Sequence, residues 1–168
     1  LVLATCANLP GWEVDDRPFH DALRRRSIPF ELAVWDDPNV PWQDFDTCLI
    51  RTTWDYQEKQ PLFVSWARGL QDKTRLINPI EIIEWNTRKT YLRDLEEFGA
   101  PLTPSVWLER GSKVDMAEIM RTRGWSRGFL KPVVGATARE TLPFEDSPEG
   151  LAAATAHLER LLPNESMI

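Results

Sequence analysis

The sequence predicts an α/β fold whose first part is built on a parallel sheet. Short apolar or β-branched runs at Leu1–Cys6, Phe30–Trp35, Thr47–Arg51 and Arg75–Ile77 alternate with helical patterns at Val14–Arg26 and Pro61–Leu70. Strand–helix–strand repetition at this spacing sets strands side by side in parallel, with helices on the faces. The opening run is continuously apolar rather than alternating, as in a strand buried on both faces. The 168 residues are 42% hydrophobic and 27% charged, enough for one ordinary domain or two small ones.

Each element has a local cause. In the helix Val14–Arg26, Phe19, Ala22 and Leu23 share one side, and Arg24, Arg25 and Arg26 put cations at the C-terminus, where the helix dipole favours them. Asp36-Asp37-Pro38-Asn39 is a turn cluster that closes the second strand. Asn78-Pro79-Ile80-Glu81 reads as a helix start, with Asn at N-cap, Pro at N1 and Glu at N3. The domain boundary is therefore expected here, giving domains 1–77 and 78–168.

The second segment mixes elements differently. A helix is expected from Thr87 to Phe98, with Tyr91, Leu92, Leu95 and Phe98 on one face and Gly99 as C-cap. Strand Ser105–Glu109, helix Asp115–Arg123 stopped by Gly124, strand Gly128–Val134 and strand Arg139–Phe144 follow. Ser147-Pro148-Glu149 starts a last helix, with Leu151, Ala154, Thr155, Leu158, Leu161 and Leu162 at helical spacing. Glu165-Ser166-Met167-Ile168 reads as the opening of a further strand. With no initiator Met, the chain is expected to be a fragment of a longer protein.

Composition excludes several functions. Net charge is −6 and the pI is about 5.0, against the basic face of a non-specific nucleic-acid binder. No run of 18 apolar residues exists to span a membrane. Cys6 and Cys48 sit in apolar runs and read as reduced, buried thiols of a cytoplasmic protein. Two histidines, His20 and His157, exclude a histidine-rich metal site. His20, with no visible partner, reads as a surface residue.

The stretch "FLKPVVGATARET", residues 129–141, carries the chemistry. Burying Lys131 in a strand is costly unless an anion meets it. At a sheet edge it could instead snorkel, and Pro132 also suits an edge. The small turn Gly135-Ala136-Thr137-Ala138 lets backbone N–H groups approach an anion. Lys89, expected in the first turn of a helix, adds a second cation where N–H groups already favour anions.

These residues carry a resemblance. "NPIEIIEWNTRKTYLRDLEEFGAPLTPSVWL" followed by "GFLKPVVGATARET" resembles the amino-terminal half of an ATP-grasp domain. That pattern has a helix lysine in N-x-x-K, then a strand ending in V-x-K-P, then a small-residue loop over the phosphates. Lys89 and Lys131 match the two lysines, and Gly135–Ala138 match the loop with a single glycine. "VWDDPNVPWQDFDTCLIRTTWDYQEKQPLFVSW" is similar to the domain that precedes the ATP-grasp fold in a bacterial glutathione-synthetase-like group.

The resemblance implies a parallel-sheet pre-ATP-grasp domain followed by the α+β amino-terminal ATP-grasp subdomain. It implies an ATP- and Mg²⁺-dependent ligase that joins a small-molecule carboxylic acid to an amine-type nucleophile through an acyl phosphate. Lys89, Lys131, Gly135, Ala136 and Thr137 would bind the nucleotide. Metal ligands would lie after residue 168 and no catalytic residue within the chain, so the fragment alone would be inactive. No nucleic acid or membrane partner is expected, and a homodimer is one admissible assembly.

Arg51-Thr52-Thr53-Trp54-Asp55-Tyr56 follows the third strand, where ligands of parallel sheets collect. Arg51, Thr52 and Asp55 are candidates for the substrate side; a structural Arg–Asp pair is the alternative for Arg51. Asp15-Asp16 reads as an N-terminal charge cluster and Asp36-Asp37 as a turn rather than a metal site. Two other functions stay open: a non-catalytic nucleotide-binding or interaction module of the same fold, and a flavodoxin-like sensor, which would leave both lysines idle.

Overall fold

The computed structural model describes residues 1–9, 11–161 and 166–168. They form two compact units, Leu1–Thr87 and Arg88–Ile168.

In the first unit, strands β1 (Val2–Thr5), β2 (Glu31–Val34), β3 (Thr47–Thr52) and β4 (Arg75–Ile77) form a parallel sheet in the order β2-β1-β3-β4. All four residues of β1 are buried, as a continuous apolar run at the centre of a parallel sheet requires. Helices α1 (Arg17–Arg25), α2 (Gln60–Gly69) and α3 (Ile80–Asn86) complete the unit. Its core joins Val2, Ala4 and Cys48 of the strands to Phe63 and Ala67 of α2 and to Ile80 and Ile83 of α3. The boundary expected at Asn78 thus precedes a helix whose apolar side packs into the first core. Trp35 is 1% exposed and meets Phe63 and Trp66 edge-on, with centroids 5.2 and 5.8 Å apart.

Two helix starts differ from expectation. The helix expected from Val14 begins at Arg17, after a 3₁₀ turn over Trp12–Asp16. Pro18 is the reason: inside a helix its ring would clash with the carbonyl four residues back, so it sits in the first turn. In α3, Pro79 rather than Asn78 holds the N-cap position, and no side chain caps the helix.

In the second unit, β5 (Trp107–Leu108), β6 (Arg127–Pro132), β7 (Leu142–Glu145) and β8 (Ser166–Met167) form an antiparallel sheet ordered β5-β8-β6-β7. Helices α5 (Met116–Arg123) and α6 (Pro148–Leu161) cover one face, packing Met116, Met120, Ala154, Leu158 and Leu161 on Leu130 and Phe144. Gly124 ends α5 in the left-handed conformation, φ 66°, and the Asp115 side chain caps its start by accepting from the Glu118 N–H. The expected strand at 165–168 is β8; Glu165, and Leu162 of the last helix's apolar face, fall outside the described residues.

Two expectations are corrected here, and one alternative is refined: strand β6 is internal to the sheet, but Lys131 and Pro132 pair with β8 alone. Pro132 is tolerated because β7 pairs only with residues 127–130, leaving Pro132 unpaired on that side. The helix expected at Thr87–Phe98 is the shorter α4 (Tyr91–Glu97), and Phe98 is 87% exposed rather than on a buried face. The strand expected from Arg139 starts at Leu142, because residues 137, 138 and 140 adopt positive φ.

Candidate functional site

Lys89 and Lys131 face one hollow in the second unit. It measures about 310 Å³ and is lined by both lysines, Phe129, Thr141 and the loop residues Gly135–Arg139. Strand β6 supplies Lys131 on the face opposite buried Leu130, by the alternation of a pleated strand. Lys89 lies in the turn before α4, not in that helix's first turn as expected. Its backbone N–H donates to Val133 O at 2.9 Å, which fastens the turn to the end of β6.

The Lys89 ammonium donates to Pro132 O at 3.1 Å and Gly135 O at 2.7 Å. An ammonium carries three donors, so one remains for a ligand. Burial, and secondarily the charge of Lys131, push the Lys89 pKa down to about 8. Among the described residues no carboxylate pairs with Lys131. Two cations thus line a hollow beside a loop of small residues, an arrangement that suits a polyanion.

The loop is bent by Thr137, Ala138 and Glu140 at φ 53°, 57° and 55°. Left-handed backbone costs about 1–2 kcal/mol per non-glycine residue, so other contacts must hold it. Turn bonds do so from Arg139 N to Ala136 O and from Thr141 N to Ala138 O, both 3.0 Å. His157 of α6, unassigned in the sequence, meets the Glu140 carbonyl at 2.8 Å.

The candidates of the first unit are engaged with neighbours. Arg51 forms a two-pronged pair with Asp16, Nε lying 3.1 Å from Oδ2 and Nη2 bonding Oδ1, and its guanidinium stacks 5.0 Å from the Phe19 centroid. The Asp16 side chain is only 6% exposed, so it is a buried partner rather than a surface charge cluster. His20, expected on the surface, is buried beside Phe30, its Nε2 4.0 Å from Asp16. The Thr52 hydroxyl bonds that of Thr5 at 2.7 Å, and Asp55 accepts from Trp35 Nε1 at 2.7 Å. Asp36 pairs with Lys59, and Asp37 accepts from the Asn39 N–H, as turn residues do. Cys6 and Cys48 are buried free thiols, and burial raises Cys48 to about 12.

A parallel first unit followed by an antiparallel second unit is the architecture of the amino-terminal part of ATP-grasp proteins. The sequence model described as "D-cycloserine synthetase DcsG, N-terminal domain" matches residues 1–78. The cycloserine biosynthesis protein DcsG of Streptomyces lavendulae is 31% identical over 172 residues, spanning 100% of this chain and 56% of that protein. The crystal structure of D-cycloserine synthetase DcsG superposes with a TM-score of 0.87 at 26% identity, over 99% of this chain and 57% of that one. A RimK domain ATP-grasp protein of Sphaerobacter thermophilus shares the fold at 14% identity, with a TM-score of 0.69 over 99% of this chain and 61% of its own. Over its whole length the chain is similar to the cycloserine biosynthesis protein, and it shares the fold of the amino-terminal part of ATP-grasp proteins. It spans a little over half the length of that relative.

Proposed function

We propose that this chain is the nucleotide-phosphate half of an ATP- and Mg²⁺-dependent carboxylate–amine ligase. Residues 1–77 would be its pre-ATP-grasp domain and 78–168 the amino-terminal subdomain. The observation that carries the reading is the shared hollow of Lys89, Lys131 and the Gly135–Thr137 turn. Phosphoryl transfer to a carboxylate needs positioning and charge neutralisation more than covalent chemistry. Lys89 and Lys131 supply charge, and the small turn lets backbone N–H groups reach phosphate oxygens. Arg51, Thr52 and Asp55 are assigned to the substrate side, where a small carboxylic acid and an amine-type nucleophile would meet.

Among the described residues no group of three His, Cys, Asp or Glu side chains comes together to hold a metal. We assign binding and orientation to this chain and expect the isolated fragment to be inactive. The described residues include no helix long and apolar enough to cross a membrane. A cytoplasmic setting follows from the reduced thiols this reading assumes.

The test is ADP release by the full-length protein, screened against carboxylic acids paired with amines. Acid-dependent ADP release that Lys131→Ala lowers at least tenfold supports the reading. Release unchanged in both Lys131→Ala and Lys89→Ala, or nucleotide binding that ignores both substitutions, overturns it.

A further inference from the structure

His157 is buried on α6, 8% exposed, and both of its ring nitrogens are engaged. Nε2 lies 2.8 Å from the Glu140 carbonyl oxygen and Nδ1 lies 2.6 Å from Arg160 Nη2. One protonation pattern satisfies both contacts. Arginine only donates, so Nδ1 must accept; the carbonyl only accepts, so Nε2 must carry the proton. Arg160, an exposed residue one turn along the helix, thereby fixes the tautomer that can hold Glu140.

What His157 holds is the loop of the candidate phosphate site. Glu140 is one of three non-glycine residues in left-handed backbone between Gly135 and Leu142. Its carbonyl closes the run that begins at Gly135, whose own carbonyl is held by Lys89. The loop is thus pinned near both ends, by Lys89 at its start and by His157 at its finish. Conformations of this kind persist where surrounding contacts over-determine them.

We propose that His157, with its tautomer set by Arg160, is a positioning residue that holds the Gly135–Thr141 loop in the shape that receives nucleotide phosphates. The proposal rests on the nucleotide reading for its ligand but not for its loop contact. His157 does not touch the ligand; it acts through the Glu140 carbonyl.

The experiment has a ligand-free arm and a nucleotide arm, both on the full-length protein. Arg139 lies exposed in the loop, so tryptic cleavage after it, followed by mass spectrometry, reads how well the loop is held. His157→Leu should speed that cut about tenfold without nucleotide and raise the Kd for ATP about tenfold. His157→Gln, whose amide can donate to the same carbonyl, should restore most of both. If the leucine variant does not fold, Arg160→Met serves, and should loosen the loop by a smaller factor in both arms. Cleavage and ATP affinity at wild-type levels in the variants, or a glutamine variant no better than leucine, overturn the proposal. Faster cleavage with unchanged ATP affinity overturns the link to nucleotide. If Lys89→Ala and Lys131→Ala also leave ATP affinity unchanged, the nucleotide reading fails instead, while the cleavage arm still judges the loop contact.

Discussion

Lys89 Nζ stands 2.7 Å from the carbonyl oxygen of Gly135, so a cation from the turn before α4 is tied directly to the loop that follows β6. The tie keeps the ammonium in place before any ligand arrives. Its cost is visible in the pKa, which burial and Lys131 lower to about 8 from an ordinary 10.5.

That shift gives a pH prediction with a definite sign. Below pH 8 Lys89 is protonated in both folded and unfolded chains, and the penalty of burying its charge is present in full. Between 8 and 10.5 the unfolded chain keeps a proton that the folded chain has released, so this group makes stability rise with pH. Lys89→Met should remove the rise, read as the difference between the two urea-denaturation profiles across this window. Phosphate binding favours the ammonium, so ATP affinity should fall above pH 8 more steeply in wild type than in Lys89→Arg.

Gly135 tests the geometry without touching a charge. A Cβ there would stand 3.1 Å from the Pro132 ring and 3.4 Å from Lys89 Nζ. Its backbone is not left-handed, so Gly135→Ala should cost little stability. The tight contact is with the Pro132 ring, which must give by a few tenths of an ångström; because the Pro132 carbonyl holds Lys89 Nζ, ATP binding should weaken by roughly three- to tenfold, equivalent to about 1 kcal/mol. Isothermal titration of the full-length protein reads this; equal affinity would mean that the ammonium has room to move.

Gly150 should show the opposite pattern. Added there, a Cβ would lie 2.3 Å from the Glu145 carbonyl oxygen, where β7 turns into α6. Backbone cannot yield as a side chain tip can, so Gly150→Ala should destabilise by about 2 kcal/mol through overpacking. The shift in denaturation midpoint checks this.

Legibility followed the physical range of each signal. Buried strand β1 was readable because a parallel strand covered on both faces is apolar at every position. Gly124 and Asp115 were readable because caps act within one turn. Signals that depend on distant chain were not. The pairing of Lys131 and Pro132 with β8 was not readable, because β8 lies far along the sequence. Asp16 and His20 looked like surface residues because their burial depends on Arg51 and Phe30, which arrive from β3 and the chain ahead of β2. Lys89 and Lys131 are singled out by the family resemblance, whereas the nine-residue span 133–141, with its left-handed positions, has only one glycine to announce it.

Arg51 carries the last prediction. It is the extra residue of β3: Ala4 pairs with Ile50 and Thr5 with Thr52, so Arg51 bulges out of register. Bulges re-aim side chains and are frequent beside functional sites. Here the re-aimed guanidinium meets buried Asp16, and that hydrogen bond raises the Arg51 pKa further above its ordinary value. Arg51→Met would leave the Asp16 carboxylate buried without a partner. Because the Arg51 side chain is 40% exposed, we expect a loss of about 2 kcal/mol, below the range for fully buried pairs. Asp16→Asn combined with Arg51→Met should recover part of it, giving a coupling energy of about 1 kcal/mol in a double-mutant cycle. Arg51→Lys separates structure from substrate binding. Lysine keeps the charge but cannot reproduce the two-pronged geometry. If Arg51 also binds a substrate carboxylate, the lysine variant should raise KM for the acid at least tenfold while its denaturation midpoint moves little. A lower midpoint with unchanged KM would assign Arg51 wholly to Asp16.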